Sequence, residues 1–411
     1  MLLYEIDRHE GVRDMRWDEG RARSAIERIV ADTQRRFDDE ALWPVHPFDR
    51  SPERPPDSLK PLYYGAAGVI WALNHLHQSG AIALERDYVA TVRGLIERHR
   101  ADIRKYEVVR KYMGVELSSY LLGETGILLL EWKLAPSEDL ALRLQAAIEA
   151  KIGDPRGLAW GATGAMLVAL FMDERTGESR WKELYLRNFE ALWDQWEYVD
   201  ELRCHLWTHD LYGVSEKRLG ALHGFAAYAF TLIRGRHLLP QERQDEILRR
   251  IHETVHATAL SEGGYANWPN NVGSTTRPKP LPLVVQHCNG APGVINCLAE
   301  FPEDQRWPID ALLLGAGELI WAAGPPIKFP SLCHGAAGSG YALLKLYNRS
   351  GDDKWLDRAR RFAMHAIGHV ESWLEKYGQR KYSLWTGDLG LAIFLWDCID
   401  GNGKFPTVDA F

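Results

Sequence analysis

Residues 333–338 read Cys-His-Gly-Ala-Ala-Gly, and residues 288–293 read Cys-Asn-Gly-Ala-Pro-Gly. The two stretches are near-copies of one motif that lie 45 residues apart. Their Gly-x-x-Gly element begins at seven places, the fourth of which ends in Ala instead of Gly: Gly65, Gly123, Gly161, Gly224, Gly290, Gly335 and Gly387. One such motif is a weak signal, but seven at intervals of 38 to 66 residues indicate a repeat architecture.

Each copy opens an apolar run, such as residues 69–73 or 391–396, and the runs are typical of helices buried on all sides. Between the runs lie amphipathic segments with a charged outer face. We predict seven of these as helices: 19–37, 85–103, 137–151, 178–196, 240–258, 305–323 and 354–376. Seven buried helices alternating with seven amphipathic ones predict an all-α protein, a closed seven-fold α/α toroid of inner and outer helices. Distinct capping repeats, typical of open solenoids, are not seen.

The repeats extend through the whole chain without a linker rich in Pro, Gly or Ser, so we predict a single domain over residues 1–411. The N-terminal segment 1–18 and the Pro-rich loops 38–61 and 259–287 are expected to be peripheral to it. The loops are expected to cover one end of the barrel.

The composition excludes several classes of protein. The formal charge is -7 and there is no long basic run, which argues against nucleic acid as a partner. No 18-residue apolar stretch and no apolar signal segment occurs, so membrane insertion is not expected. Five cysteines form an odd set that indicates reduced thiols and a cytoplasmic protein.

Because each Gly-x-x-Gly starts an inner helix, all seven turns are expected at the same mouth of the toroid. The residues just ahead of the glycines then form a ring around that mouth: Tyr64, Leu122, Trp160, His223, Asn289, His334 and Trp385. Repeats five and six would bring Cys288, Cys333 and His334 together there. Two thiols and an imidazole form a three-ligand zinc set, which leaves a fourth position for water or substrate.

A cysteine at a helix start is more often a packing residue, and either cysteine alone would be read that way. The register of the trio in adjacent repeats reverses that preference. His287 precedes Cys288 and could compete as a ligand, or it could orient a ligand without touching the metal. Cys297 lies four residues after Gly293 on an apolar helix, so we interpret it as a core residue.

Two further side chains are candidates for function. His223 occupies the register of His334 one repeat earlier than Cys288, which predicts a general acid or base beside the metal. Lys328, five residues before Cys333, could reach the mouth and bind a carboxylate, although a solvated lysine is an equally good interpretation. A sugar-processing α/α barrel would need paired carboxylates, and only Glu124 and Asp388 lie inside the repeated turns.

The motifs Cys-Asn-Gly, Cys-His-Gly and His-Gly, combined with the seven repeats, resemble the lanthionine synthetase C-like family from about Tyr64 onward. The resemblance implies one zinc at the mouth of a toroid and addition of a thiol to dehydroalanine or dehydrobutyrine. It implies that Cys288, Cys333 and His334 bind zinc and that His223 protonates the enolate formed by thiol attack.

The family has a branch of peptide cyclases, which carry an aspartate shortly before the second Gly-x-x-Gly. Here residues 117–122 read Leu-Ser-Ser-Tyr-Leu-Leu, without an aspartate. The chain is more similar to the stand-alone branch that adds glutathione to dehydroamino acids in proteins, where a lysine placed like Lys328 helps to hold glutathione. Zinc-dependent thiol addition, with glutathione or a peptide cysteine as donor, is therefore the predicted function. The alternatives are a lanthipeptide cyclase and a non-catalytic scaffold that binds zinc or thiols.

Overall fold

The computed structural model describes residues 3–12, 15–55, 57–112, 117–211, 213–273 and 282–411. In chain order, the α-helices of this part of the chain are α1 (Glu19–Arg35), α2 (Ala66–Gln78), α3 (Val89–Lys105), α4 (Glu107–Tyr112), α5 (Glu124–Leu134), α6 (Glu138–Glu149), α7 (Gly157–Trp160), α8 (Ala162–Thr176), α9 (Ser179–Trp193), α10 (Phe225–Gly235), α11 (Gln241–Thr258), α12 (Ala291–Leu298), α13 (Asp310–Ala323), α14 (Ala336–Ser350), α15 (Asp353–Tyr377) and α16 (Asp388–Asp400). No helix of the described residues is both long and apolar enough to cross a membrane.

Seven helices form the inner layer, and each begins directly after the first glycine of a Gly-x-x-Gly copy: α2, α5, α8, α10, α12, α14 and α16. Helix α8 is typical of them, because every side chain from Ala162 to Met172 is buried. Seven helices form the outer layer: α1, α3, α6, α9, α11, α13 and α15. Helix α9 buries Trp181, Leu184 and Phe189, among others at the same spacing, and so turns one face inward.

The inner layer closes on itself. Helix α10 contacts both α8 and α12, α14 contacts both α12 and α16, and α16 contacts α2 at the start of the ring. Helix α2 in turn contacts α5. The predicted all-α toroid of seven inner and seven outer helices is confirmed.

The second glycine of each motif allows a close approach between the helix and the loop before it. A Cβ atom on Gly338 would lie 1.8 Å from the carbonyl oxygen of Leu332, six residues earlier. The same clash recurs at Gly68, where the distance to the Leu62 oxygen would be 2.1 Å, and at Gly164, where it would be 2.2 Å to the Leu158 oxygen. The recurrent glycine therefore allows each loop of the mouth to pack directly against the first turn of its helix.

This packing predicts a stability effect. Gly338→Ala is expected to lower the free energy of unfolding by about 3 kcal/mol or more, because the clash is with backbone that cannot rotate away. Gly94→Ala on α3 is a matched control, since its added Cβ would meet no atom within 4 Å. That change should raise stability by ~0.5–1 kcal/mol through helix propensity. Urea denaturation measures both, and equal stability of the two variants would contradict the packing argument.

The structure also contains short strands that the sequence did not predict. They are β1 (Glu197–Val199), β2 (Cys204–Leu206), β3 (His209–Leu211), β4 (Val214–Arg218), β5 (Leu260–Glu262), β6 (Tyr265–Asn267) and β7 (Asn271–Val272). Strands β1–β2 and β5–β6 form antiparallel pairs, and β4 pairs with both β3 and β7. These strands are only two to five residues long, too short for an alternating pattern to be recognised in the sequence.

Asn267, at the end of β6, caps the start of α12 from a segment that we expected to be a peripheral loop. Its side-chain oxygen accepts a hydrogen bond from the backbone N–H of Ala291, at 2.7 Å, in the first turn of α12. The amide group also donates to the carbonyl of Leu3 at 2.7 Å. Because Gly290 has no side chain to cap α12, Asn267 supplies the cap from another part of the chain.

Candidate metal centre

A ring of backbone hydrogen bonds lies at the mouth of the toroid. Its members stand two places before the first glycine of each motif: Tyr63, Leu121, Ala159, Leu222, Cys288, Cys333 and Trp385. In six of the seven neighbouring pairs, the N–H group of one member donates to the carbonyl of the member in the next repeat; among the described residues no such bond joins Leu222 to Cys288. The six links are Tyr63–Leu121 (3.0 Å), Leu121–Ala159 (3.3 Å), Ala159–Leu222 (3.0 Å), Cys288–Cys333 (3.3 Å), Cys333–Trp385 (3.0 Å) and Trp385–Tyr63 (3.3 Å). We call these seven residues the backbone ring. It holds Cys288 and Cys333 side by side.

Cys288, Cys333 and His334 form a group that could hold a metal ion. One ligand atom from each residue lies within 4.8 Å of the other two. The distance between the Cys333 Sγ and the His334 Nε2 is 3.7 Å. Both cysteines are buried, whereas the imidazole is half-buried. The structure thus brings together the three residues that the sequence predicted as one site.

The pKa values of the two neighbouring thiols are shifted in opposite directions. A hydrogen bond from the Cys333 thiol, helped by the charge of His334, holds the pKa of the Cys288 thiol well below its usual value. Burial, together with the neighbouring Cys288, raises the pKa of the Cys333 thiol well above it. Both ligand thiols lose their protons when a metal binds, so binding of a cation at this pair would release protons.

Hydrogen-bond donors surround the sulfur atoms. The Gln286 Nε2 donates to the Cys288 Sγ at 3.1 Å, and the Asn289 Nδ2 lies 3.6 Å from the same atom. The hydroxyl of the buried Tyr63 hydrogen-bonds to the Cys333 sulfur. Such donors stabilise thiolate charge and orient the sulfur. Tyr63 and Gln286 were missed in the sequence, although Tyr63 occupies the register of the two cysteines and could have been found by it.

The group opens into a cavity of about 530 Å³, within the range of small-molecule sites. Its walls are Arg54, Leu59, Tyr63, Tyr64, Val109, Leu122, Ala159, Trp160, Leu222, His223, Gln286, Cys288, Asn289, Cys333 and His334. Six of the seven residues predicted around the mouth are among them. The prediction for Trp385 is wrong: this side chain is fully buried and stacks on Tyr63, because it stands two places before Gly387 and belongs to the backbone ring.

His223 lies in the cavity wall against Trp160, with 5.8 Å between the ring centroids. Burial, followed by the charge of Arg218, lowers the pKa of His223 to about 4. Its Nδ1 is buried and has no hydrogen-bond partner among the described residues. The imidazole is therefore neutral at pH 7 and able to accept a proton from a group in the cavity.

His287 does not belong to the metal-binding group. Its ring is buried below the cavity and stacks on Phe405, with 4.2 Å between centroids and 17° between planes. Its Nδ1 accepts a hydrogen bond from the Asn296 amide at 3.0 Å. Of the two roles considered from the sequence, this position suits support of the adjacent Cys288 and not ligation.

Two cations lie near the mouth, and the charge of Lys328 acts on the Cys333 thiol, where it partly offsets the rise of the pKa. Lys328 is exposed and borders a separate groove of about 330 Å³, where Arg8 is also found and which shares Gln286 with the main cavity. Arg54, which the sequence did not single out, borders the main cavity itself. Among the described residues that form the cavity wall, it is the only Lys or Arg, and none is Asp or Glu.

Comparison with known proteins identifies the family. Residues 56–409 match the model of the lanthionine synthetase C-like protein family, and the chain belongs to this family. It is 26% identical over 289 residues to glutathione S-transferase LANCL1 of Danio rerio, covering 65% of each chain. It is also 26% identical over 270 residues to LanC-like protein GCL1 of Arabidopsis thaliana, covering 63% of this chain and 58% of the relative. The chain thus spans less than two thirds of the length of either relative.

A solved structure, nisin cyclase, has the same fold. It superposes with a TM-score of 0.54 at 14% sequence identity, and the match covers 93% of this chain and 99% of the cyclase. At this low identity the similarity concerns the architecture alone.

Proposed function

We propose that the protein is a zinc-dependent enzyme that adds a thiol, with glutathione as donor, to dehydroalanine or dehydrobutyrine in a peptide or protein. The observation that carries the proposal is the group of Cys288, Cys333 and His334 in the wall of a cavity that also contains His223. Membership of the lanthionine synthetase C-like family supports it. So does the name of one relative, a glutathione S-transferase.

Zinc fits the three side chains. In a tetrahedral zinc site with ordinary Zn–S and Zn–N distances, a sulfur and a nitrogen ligand lie about 3.6 Å apart. The Cys333 Sγ and the His334 Nε2 are 3.7 Å apart. Two thiolates and one imidazole suit zinc chemically, and a set of three ligands leaves a position open, as catalytic sites require.

Bound at this group, zinc would lower the pKa of a donor thiol at the open position and so favour the thiolate. The neutral imidazole of His223 accepts the proton that the donor thiol loses. The sulfur then forms a bond to the β-carbon of the dehydroamino acid, and the electron pair of the double bond moves toward the α-carbon and its carbonyl. His223 returns the proton to the α-carbon, which completes the addition without an oxidant or a further reactant.

The donor distinguishes this function from that of a cyclase, which would use a cysteine of the same peptide. The stretch 117–122 lacks the aspartate that the family resemblance associates with cyclases. An external thiol is therefore favoured. The cavity, of about 530 Å³, is large enough for a tripeptide thiol beside an acceptor side chain.

The test incubates the zinc-loaded protein with glutathione and a dehydroalanine peptide and follows adduct mass with time. Adduct formation well above the protein-free rate is expected. A rate equal to that background would contradict the enzyme and leave a non-catalytic zinc- or thiol-binding scaffold. A dehydroalanine peptide with its own cysteine, which cyclises faster than it gains glutathione, would indicate a cyclase instead.

Arg54 gives a prediction about the donor. A carboxylate in the cavity needs a cationic partner, and Arg54 is placed in the cavity wall, whereas Lys328 borders the neighbouring groove. Arg54→Ala is expected to raise KM for glutathione about 10-fold, the effect of losing one exposed charge-assisted hydrogen bond. KM for 2-mercaptoethanol, which has no carboxylate, should stay unchanged.

Lys328→Ala is the comparison variant, with a smaller expected effect on KM for glutathione. A larger effect of Lys328→Ala than of Arg54→Ala would reverse the assignment and support the lysine predicted from the sequence. Equal changes of KM for both thiols in Arg54→Ala would show that the arginine acts on the cavity as a whole and not on the carboxylate.

A further inference from the structure

The C-terminal segment, residues 401–411, lies in the central hole of the toroid. Phe411 packs against Trp71 of α2 and Phe171 of α8, with ring centroids 6.0 and 5.8 Å apart. Arg234 of α10 donates to the carbonyls of Val408 and Asp409, both at 3.0 Å. A segment that contacts inner helices on different sides of a ring must lie inside the ring.

A buried ion pair anchors the segment on the side of α14. The Lys345 Nζ lies 2.6 Å from the Asp409 Oδ2, and the two side chains are only 5% and 4% exposed. The same carboxylate oxygen accepts a hydrogen bond from the backbone N–H of Phe405 at 2.6 Å. Asp409 therefore closes the segment into a compact turn while it binds the barrel wall.

The segment enters from the end opposite the mouth. The inner helices all start at the mouth, so their last turns mark the far end. Arg175, in the last turn of α8, donates to the carbonyl of Phe411, and Arg234 lies in the last turn of α10. The segment thus fills the central hole at the end opposite the mouth, so that the toroid is open at the mouth and closed at the far end.

At its upper end the segment reaches the neighbours of both cysteines. Phe405 stacks on His287, the residue before Cys288. The Thr407 Oγ1 accepts a hydrogen bond at 3.1 Å from the indole Nε1 of Trp385, whose carbonyl accepts from the N–H of Cys333 at 3.0 Å. Each cysteine is thereby connected to the segment through one intermediate residue.

We infer that the C-terminal segment is the floor of the metal centre, and that Phe405 is a positioning residue for the ligands Cys288 and Cys333, because its ring packs against both His287 and Trp385. Two sulfur atoms can bind the same ion only if the backbone holds both of them in place. The backbone ring contributes only one residue per repeat, so it needs support from the segment that packs beneath it. Residues that orient metal ligands without touching the metal commonly change metal affinity 10- to 100-fold, about the effect expected here. The inference rests on the proposed function only in taking zinc as the metal.

The test compares two phenylalanines of the same segment. Phe405→Ala is expected to bind zinc about 10- to 100-fold more weakly than the wild type, measured by competition with a chelating dye. Phe411→Ala is the matched control, because this buried side chain packs against repeats one to three and not against the cysteines. It should lose comparable stability and keep zinc affinity within about 3-fold, a smaller effect than the loss of a residue that orients a metal ligand.

Cobalt in place of zinc gives a second readout, since its visible absorption reports the geometry of the ligands and not the stability of the fold. A changed spectrum is expected for Phe405→Ala and an unchanged one for Phe411→Ala. Wild-type zinc affinity in Phe405→Ala, or an equal loss in both variants, would overturn the inference.

If Phe405→Ala does not fold, Thr407→Val removes the hydroxyl that accepts from the Trp385 indole and leaves the rings around the cysteines in place. This variant should weaken zinc binding about 5-fold, somewhat less than is usual when a residue that orients a metal ligand is lost. Unchanged affinity in that variant would overturn the inference as well. Zinc binding is measured without turnover, so a protein that shows these effects but forms no adduct supports the floor and contradicts only the proposed enzyme. A wild-type protein that binds no zinc contradicts both.

Discussion

Cys288→Ala is expected to bind zinc at least about 100-fold more weakly than the wild type and to add glutathione at the uncatalysed rate. Binding of zinc by a full set of ligands contributes roughly 10–16 kcal/mol, so each of three protein ligands contributes about 3–5 kcal/mol. Of the two sulfur atoms, Cys288 is the one whose pKa is lowered. Its loss therefore removes one of the two sulfur ligands and the hydrogen-bonding partner of Cys333.

Cys297→Ala provides the control. Cys297 is also buried at a helix that begins in the same repeat, but burial raises the pKa of its thiol to about 12, so it is a neutral packing residue. This variant should retain one zinc per chain and near wild-type activity. Metal analysis measures the zinc content of both variants, and the adduct assay measures their activity. Undiminished zinc in Cys288→Ala would contradict the proposed metal centre.

His223→Ala is expected to keep its zinc and to lose roughly 100- to 10,000-fold in the rate of adduct formation, the usual contribution of a general acid–base group. The imidazole lies in the cavity wall and is neutral at pH 7, since its pKa is about 4. It can therefore accept the thiol proton. Among the described residues, the only other histidine of the cavity wall is His334, which belongs to the metal-binding group.

His256→Ala, on the exposed face of α11, is the matched control and should leave the rate unchanged. The combination of retained zinc and lost rate separates a role in proton transfer from a role in metal binding. Equal rates for His223→Ala and the wild type would exclude His223 as the proton carrier. Loss of zinc in His223→Ala would instead make it part of the metal centre.

The helical architecture could be predicted because its signals are local. The glycines recur before apolar runs, and the amphipathic segments bury side chains at helical spacing, as Trp181 and Leu184 do on α9. Predicted segments such as 240–258 agree with α11 to within a residue. The strands between Glu197 and Val272 were not predicted, because runs of two to five residues are too short to show a period.

The candidate site was predictable to the extent that it follows the repeat. Cys288 and Cys333 share one register, and a closed ring of repeats brings equal registers together whatever their separation in sequence. The register argument failed for Trp385, which lies one place earlier than the other predicted residues of the mouth and is buried beneath it. A single residue of offset decides between the cavity and the core, because successive residues of an extended backbone face opposite sides.

By itself, the sequence determined the repeat, the alternation of inner and outer helices and the identity of the three candidate ligands, since each of these depends on spacing along the chain. Only the tertiary structure decided that Tyr63 hydrogen-bonds to Cys333, that Arg54 and not Lys328 borders the cavity, and that Phe405 stacks on His287, the neighbour of Cys288. These contacts join residues more than a hundred positions apart, or connect a loop without periodicity to the ring. They arise when the toroid closes, and no local pattern in the sequence specifies them.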